Sequence, residues 1–557
     1  MKKESSVWSA AHKKWKEFPE GSMVSAVQAA AEQRPNAVAL EFYGRKTSYA
    51  EFIEQVEACA AAFLSMGVGK GDYVSIVTPN VPQGLVAFYA ANRIGAIGNI
   101  LHPSLSREEL HYAIGVVKSR LVLTLDMIYP KFTAMEWEHG NPVFLLATIA
   151  EELPTLKRPF YLAKNKTKVK PYPTHTVLFW KDFVRKDHAP LPADTGKAED
   201  AAVVLYSGGS TGKPKGILLS NGNFNCLAVC TVETYSDDEA YEMHSLALMP
   251  IFHAFGLGTS IHAMLCVNAH LFLVPIYDME ETTKLIFRRK INFIYGVPAL
   301  FQALSRSEEI EKKDCSFMKL LVAAGDYVSP QLIRRLNRQL KSGGASVELR
   351  EAYGQTECAS GCCINPYFDM HEGSMGLPYS NIKMKIVDHE TGEELPRGEV
   401  GEICVCGPTV MKGYLFNEEL TKTVLRVHRD GNTWLHTNDM GYQDEDGFFY
   451  YSHRRIRMII SAGYNVYPGE VEDAIEKCTF VRQCCVVGVK DTVLGERIRA
   501  VVVLEDTAPE QPDAKQKIME LCKSTIPEFA LPHEILFRSA LPQSAYGKVD
   551  YRQLVEF

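Results

Sequence analysis

Residues 206–216 read Tyr-Ser-Gly-Gly-Ser-Thr-Gly-Lys-Pro-Lys-Gly, and this stretch limits what the chain can be more than any other. An apolar run, Ala201 to Tyr206, leads into it and reads as a buried strand. A second short run, Ile217 to Leu219, leads out. Between the two runs lie four glycines, three hydroxyl side chains and two lysines. Glycines let a backbone wrap a ligand and turn its N–H groups inward. Hydroxyls donate to oxygens and lysines neutralise charge, so the mixture suits a polyphosphate. The P-loop of NTPases needs Gly-Lys followed directly by Ser or Thr and then a helix. Pro214 follows Lys213 and a strand-like run follows Lys215, which excludes that motif. A mere Gly/Ser turn would not place two lysines between two buried strands.

At 557 residues the chain exceeds what one core usually supports, so two or more domains are expected. The 46% apolar and 23% charged fractions are those of an ordinary globular protein, and a net charge of −7 implies no nucleic-acid partner. Fourteen cysteines occur without a CxxC pair or a His/Cys metal spacing. Adjacent pairs such as Cys362–Cys363 and Cys484–Cys485 read as small hydrophobes in a reducing, cytoplasmic setting, and no structural metal site is expected. Met1-Lys2-Lys3 precedes polar residues, not the apolar core of a signal peptide. Residues 246–277 are apolar enough to resemble a membrane span, but Pro250, His253, His262, Asn268, His270 and Pro275 interrupt them, so a buried strand–helix–strand is expected.

Taken in order, residues 22–33 read as a helix, 38–42 as a strand, and Ser48 with Glu51 as a capping box for a helix that Gly67 stops. Strand 73–77, helix 81–93, strand 96–101, a second capping box at Ser106 and Glu109, and strand 121–125 follow. Strands alternating with amphipathic helices predict an α/β fold with parallel-rich sheets. Residues 126–200 read as an irregular excursion. After the glycine-rich loop the alternation resumes to residue 360, and residues 381–447 read as a small β subdomain. Beyond the basic cluster at Arg454, Arg455 and Arg457 the order helix, strand, strand, helix, strand predicts a separate α+β domain. The boundary is placed at 453/454.

Four further stretches carry chemistry. His253 sits in Pro250-Ile251-Phe252-His253-Ala254-Phe255-Gly256, where an imidazole among apolar residues reads either as a core group or as a working one. In Tyr353-Gly354-Gln355-Thr356-Glu357 the glycine permits a turn, and the hydroxyl and carboxylate suit a phosphate and its Mg²⁺. Asp439, beyond a strand-like run, can accept both hydroxyls of a ribose. Gly547 frees the backbone before Lys548, a mobile ammonium able to meet developing negative charge.

Together these motifs resemble the adenylate-forming enzymes, the superfamily of acyl-CoA synthetases, luciferases and peptide-synthetase adenylation domains. The resemblance spans essentially the whole chain. It implies that Ser207, Gly208, Gly209, Ser210, Thr211, Gly212, Lys213 and Lys215 hold ATP phosphates. It also implies an adenine site at Tyr353, Gly354 and Gln355, the α-phosphate on Thr356, Mg²⁺ on Glu357, and the ribose on Asp439 and Arg454. Lys548 would be the catalytic lysine, His253, Phe255, Gly256, Ala324 and Gly325 would border the acyl pocket, and Ser461, Ala462, Gly463 and Tyr464 would line a CoA tunnel. Three positions depart from the family pattern: Asn438 and Ala462 stand where glycine is usual, and Ile456 stands where the hinge residue is usually polar.

The resemblance implies a ligase that converts a carboxylic acid and ATP to acyl-AMP and pyrophosphate, then forms acyl-CoA and AMP. Gly208, where many relatives have Ser, points to a medium- or long-chain fatty acid. Three alternatives stay open: loading of a carrier protein, an aromatic or bile acid as substrate, and an inactive nucleotide-binding regulator. No carrier domain follows Lys548, so a free-standing enzyme with small-molecule partners is expected. Trp8, Ala11, Trp15 and Phe18 share one helical face beside Lys13, Lys14 and Lys16, and that face either docks on its own domain or makes peripheral membrane contact.

Overall fold

The computed structural model describes residues 19–164, 169–184, 190–207, 214–232, 234, 242–276, 278–326, 328–454, 459–461, 464–491, 494–543 and 549–555. The N-terminal face from Trp8 to Phe18, the loop residues Gly208 to Lys213, the hinge residues 455–458, Ala462, Gly463 and Lys548 lie outside them.

Two large sheets organise the first part of the chain. The eight-stranded sheet runs in the order Gly413–Tyr414, Lys215–Ser220, Ala201–Ser207, Ile97–Ile100, Tyr73–Val77, Leu121–Leu125, Val143–Ala147, Val177–Phe179. Its strands are parallel from Ala201–Ser207 onward, while Lys215–Ser220 runs antiparallel to Ala201–Ser207. The nine-stranded sheet carries a parallel centre of Leu349–Tyr353, Leu320–Ala323, Phe293–Gly296, His244–Ala247, His270–Leu273 and Val38–Phe42. Helix Pro82–Arg93 is buried along its entire length, and one large apolar core joins it to strands of both sheets. A helix apolar on all sides is stable only when both faces are covered.

Both capping boxes are present: Ser48 and Ser106 accept from the backbone N–H of Glu51 and Glu109, whose carboxylates accept in return. Residues 246–274 form the expected strand–helix–strand, largely buried, and its central helix Phe255–Ala263 is wound as a π-helix. Residues 126–200 correct the sequence reading. They are no mere excursion, because Val143–Ala147 and Val177–Phe179 extend the eight-stranded sheet in parallel register from Leu121–Leu125.

A five-stranded sheet of Lys383–Val387, Gly401–Cys406, Leu425–Val427, Thr433–Gln443 and Phe449–Arg454 forms the β subdomain. The C-terminal sheet combines the hairpin Ile459–Ser461 and Tyr464–Val466 with Val481–Asp491, Gly495–Leu504 and Glu534–Arg538. Helices Pro468–Glu476 and Gln511–Thr525 pack on it around a core of its own. Among the described residues no helix is long and apolar enough to cross a membrane.

Candidate active site

The site lies where strand ends from both large sheets meet the β subdomain. Ser207 and Lys215 are direct partners across the antiparallel pair, so the two ends of the glycine-rich loop are fastened together. The short strand Gly413–Tyr414 adds to Lys215–Ser220, with Tyr414 opposite Ile217. This brings the Tyr414 ring 5.8 Å from Lys215 Nζ. Tyr414 Oη also donates to Glu357 Oε1 at 3.0 Å. Burial first, and then the Glu357 charge, push the Tyr414 phenol well above its usual range, so it stays a donor. Tyr414 was not found in the sequence, because nothing local marks it; only strand addition places it there.

The Tyr353–Glu357 segment leaves strand Leu349–Tyr353 and turns at once. A Cβ on Gly354 would lie 1.5 Å from the Ser360 carbonyl oxygen, so only glycine fits the approach of the two backbones. Thr356 and Glu357 open a single 3₁₀ turn, Thr356–Cys358, and Met411 N–H donates to the Glu357 carbonyl at 2.8 Å. Tyr353 Oη donates to Asp439 Oδ2 at 2.8 Å. The expected adenine and ribose residues are therefore joined directly. Burial, reinforced by the Asp439 charge, raises the Tyr353 phenol well above its ordinary value.

Asp439 is held from two sides. Its N–H donates to Thr437 Oγ1 at 3.1 Å, and its cross-strand partner is Arg454. The register thus sets the two expected ribose residues opposite one another. Asn438 takes the left-handed conformation, φ +58°, which explains why asparagine can stand where relatives use glycine.

His253 is positioned by a residue the sequence reading missed. Asn80 Nδ2 donates to the carbonyls of Ala247 and Met249, both at 2.9 Å, and its Oδ1 accepts from Ile251 N–H at 2.8 Å. One buried amide therefore fixes the segment that ends in His253. His253 N–H then donates to the Pro250 carbonyl at 3.0 Å. A Cβ on Gly256 would fall 1.9 Å from the Pro250 oxygen, so the π-helix starts where only glycine can pass. Thr259 Oγ1 lies 3.2 Å from Ser360 Oγ and ties this helix to the turn after Tyr353. Phe255 is half-buried against the core, and Ala324 N–H donates to the Gly296 carbonyl at 3.0 Å before Gly325, φ +87°. On the same π-helix His262 is fully buried between Tyr89 and Asn225, with its pKa brought down to about 3 by burial.

In the C-terminal unit Ser461 is buried and Tyr464 exposed, the latter stacked on Phe529 with centroids 4.7 Å apart. Gln543 and Val549 form an isolated antiparallel bridge.

A parallel-rich two-sheet body with a strand-flanked glycine loop, a Tyr–Asp pair at its rim and an appended α+β unit defines an adenylate-forming fold. Residues 27–415 match the AMP-binding enzymes and residues 470–548 match the C-terminal domain of those enzymes. The chain is 31% identical to a long-chain-fatty-acid–CoA ligase of Bacillus subtilis, over 97% of its length and 95% of the relative. It is 30% identical to a feruloyl-CoA synthase of an Amycolatopsis species, over 93% and 95% of the two chains. Its fold is similar to that of the anthranilate CoA ligase AuaEII in complex with anthranoyl-AMP, with a TM-score of 0.83, 22% identity and coverage of 97% and 98%. The chain belongs to the AMP-binding enzymes, in the acyl-CoA synthetase branch of the adenylate-forming superfamily, and is an ATP-dependent, AMP-forming acid–thiol ligase.

Proposed function

We propose that the acid this ligase activates is a medium- to long-chain fatty acid. The observation that carries the reading is a cavity of 830 Å³ whose wall includes Leu125, Met127, Ile149, Leu153, Pro250 and Phe252. That size lies within the range of small-molecule sites, and the wall is mainly apolar, with Ser104, Lys157 and Tyr161 as polar groups on it. His102 also borders the cavity. Burial, with the Lys131 charge behind it, keeps this imidazole neutral by drawing its pKa down to about 4. Of the segment expected to border the acyl group, Pro250 and Phe252 line the cavity, while His253, Phe255, Gly256, Ala324 and Gly325 are not on its wall.

Carboxylates acylate thiols poorly because oxide is a hopeless leaving group. In the first half-reaction the acid's oxygen attacks the α-phosphorus of ATP, and the bond to pyrophosphate breaks. In the second, the CoA thiol loses its proton and attacks the acyl carbonyl, and AMP leaves as a phosphate monoester. The protein supplies position and charge. In this reading Ser207, Gly208, Gly209, Ser210, Thr211, Gly212, Lys213, Lys215 and Thr356 serve the phosphate oxygens. Tyr353, Gly354 and Gln355 face adenine, Asp439 and Arg454 hold the ribose, and Lys548 stabilises the carboxylate–phosphate oxygens. Ser461 to Tyr464 guide the pantetheine thiol, and residues 454–557 move as a unit relative to 1–453.

Glu357 fits Mg²⁺. Its carboxylate is a hard oxygen donor of the kind that ion takes one or two at a time from proteins. Bound there, Mg²⁺ would neutralise phosphate charge. Tyr414, by donating to Oε1, holds in place the carboxylate that would take the ion.

The test is an acid panel. Octanoate and palmitate should exceed benzoate and cinnamate in kcat/KM for AMP release with CoA present. The reverse order would replace the fatty acid with an aromatic one, the substrate class suggested by the feruloyl-CoA synthase relative.

A further inference from the structure

We propose that the β subdomain carries a Zn²⁺ site formed by Cys404, His428 and His436. Sequence spacing gave no hint of it. The sheet assembles it: Cys404 and His436 are direct cross-strand partners of the antiparallel pair Gly401–Cys406 and Thr433–Gln443. Their side chains therefore share one face. His428 opens the turn between Leu425–Val427 and Thr433–Gln443, its N–H donating to the Asn432 carbonyl. Its Nε2 lies 2.9 Å from His436 Nε2. The Cys404 sulfur and the imidazole nitrogens all lie within 4.8 Å of one another.

The tautomer of His436 is set by a carboxylate. Glu402 Oε2 accepts from His436 Nδ1 at 2.8 Å, so Nε2 turns its lone pair into the cluster. A carboxylate behind a histidine in this manner is the usual support of a metal-ligating imidazole. Glu402 is fixed in turn: His389 Nδ1 lies 2.7 Å from Oε2, and Asn438 N–H donates to Oε1 at 2.8 Å. Cys404 and His436 are buried and His428 is half-buried, which leaves an approach from the His428 side. Trp434 and Val387 pack beside Cys404 and give the sulfur an apolar wall.

One sulfur and two imidazole nitrogens form a borderline-soft donor set suited to tetrahedral Zn²⁺, with the fourth position left to water or an added ligand. On binding, the Cys404 thiol proton passes to solvent and the sulfur–zinc bond replaces it. The thiolate and the Glu402 carboxylate then balance the dication. Lys385 Nζ lies 4.1 Å from the Trp434 ring centre, on the residue that packs beside Cys404. Because Glu402 also holds Asn438, the site braces the left-handed turn that presents Asp439.

The experiment titrates the chelator-stripped full chain with Zn²⁺ against a chromophoric chelator, and separately with Co²⁺ followed by absorption. One Zn²⁺ per chain is expected, and Co²⁺ should give a thiolate charge-transfer band with the strong d–d bands of a tetrahedral ion. Cys404→Ser and His428→Gln should each abolish both signals, and Glu402→Gln should weaken Zn²⁺ about 10–100-fold. His428→Gln, at the half-buried ligand, decides the matter if Cys404→Ser does not fold; its circular dichroism and melting curve verify folding. Absence of stoichiometric Zn²⁺ in the wild type would overturn the site. So would Zn²⁺ binding left unchanged in His428→Gln.

Discussion

Tyr353 and Asp439 come from different sheets, 86 residues apart, yet the phenol of one donates to the carboxylate of the other at 2.8 Å. The bond spans the junction between the nine-stranded sheet and the β subdomain. It fixes the carboxylate that this account assigns to the ribose. Tyr353→Phe keeps the ring and deletes the bond. A hydrogen bond to a charged group contributes about 1.5–3 kcal/mol, so the KM for ATP should rise at least about tenfold, with a smaller change in kcat. Steady-state pyrophosphate exchange at varied ATP measures both; an unchanged KM would remove Tyr353 from nucleotide positioning.

Tyr414→Phe separates a second pairing. Without the phenol, Glu357 loses the donor on Oε1. The Mg²⁺ concentration giving half-maximal activity should rise about tenfold while saturating Mg²⁺ restores most of the rate. Mg²⁺ titration at fixed ATP tests this. A rate lost equally at every Mg²⁺ concentration would place Tyr414 in the fold alone.

Much of the fold could be read before any coordinates, and the reason is locality. A capping box such as Ser48 with Glu51 is closed within four residues. Alternating helices and strands likewise announce themselves in short windows. Val143–Ala147 and Val177–Phe179 could not be read so, because a short strand within a Pro- and Lys-rich stretch is defined by its neighbour in the sheet, here Leu121–Leu125. The same holds at the site. Motif residues are contiguous and visible, whereas Asn80, Tyr414 and the Cys404, His428 and His436 cluster gain their meaning from pairing across distant segments.

A change of pH should act where the nine-stranded sheet meets the C-terminal unit. Burial first, then Asp473, raises the Glu351 carboxyl to about 8; burial first, then Glu472 and Asp473, does the same for Glu476. Gln331 Nε2 donates to the Glu476 carbonyl at 2.7 Å, joining helix Pro330–Ser342 to helix Pro468–Glu476. Both carboxyls bind protons more tightly in the folded state than at their ordinary value of 4.5, so stability falls as pH rises from 4.5 to about 8 and then levels. Melting temperature across that window should decline in the wild type and flatten in the double variant Glu351→Gln, Glu476→Gln. Equal slopes in both proteins would show that these carboxyls are not the cause.

The two half-reactions should separate by mutation. Lys548→Ala removes charge needed while pyrophosphate leaves, so adenylate formation should fall at least about a thousandfold. CoA transfer from synthetic acyl-AMP should remain within about tenfold. Gly463→Leu should do the reverse by obstructing the thiol. Single-turnover assays of each half-reaction check this, and equal damage to both steps in both variants would mean that one conformation serves the whole reaction.

Isotope exchange between ATP and pyrophosphate is followed with palmitate present and CoA absent, and CoA is then added to the same mixture. Acid-dependent exchange is expected before CoA, followed by palmitoyl-CoA and AMP in equal amounts once CoA is added. Exchange without thioester on adding CoA would indicate a carrier-protein acceptor, and no exchange with any acid would contradict the ligase reading altogether.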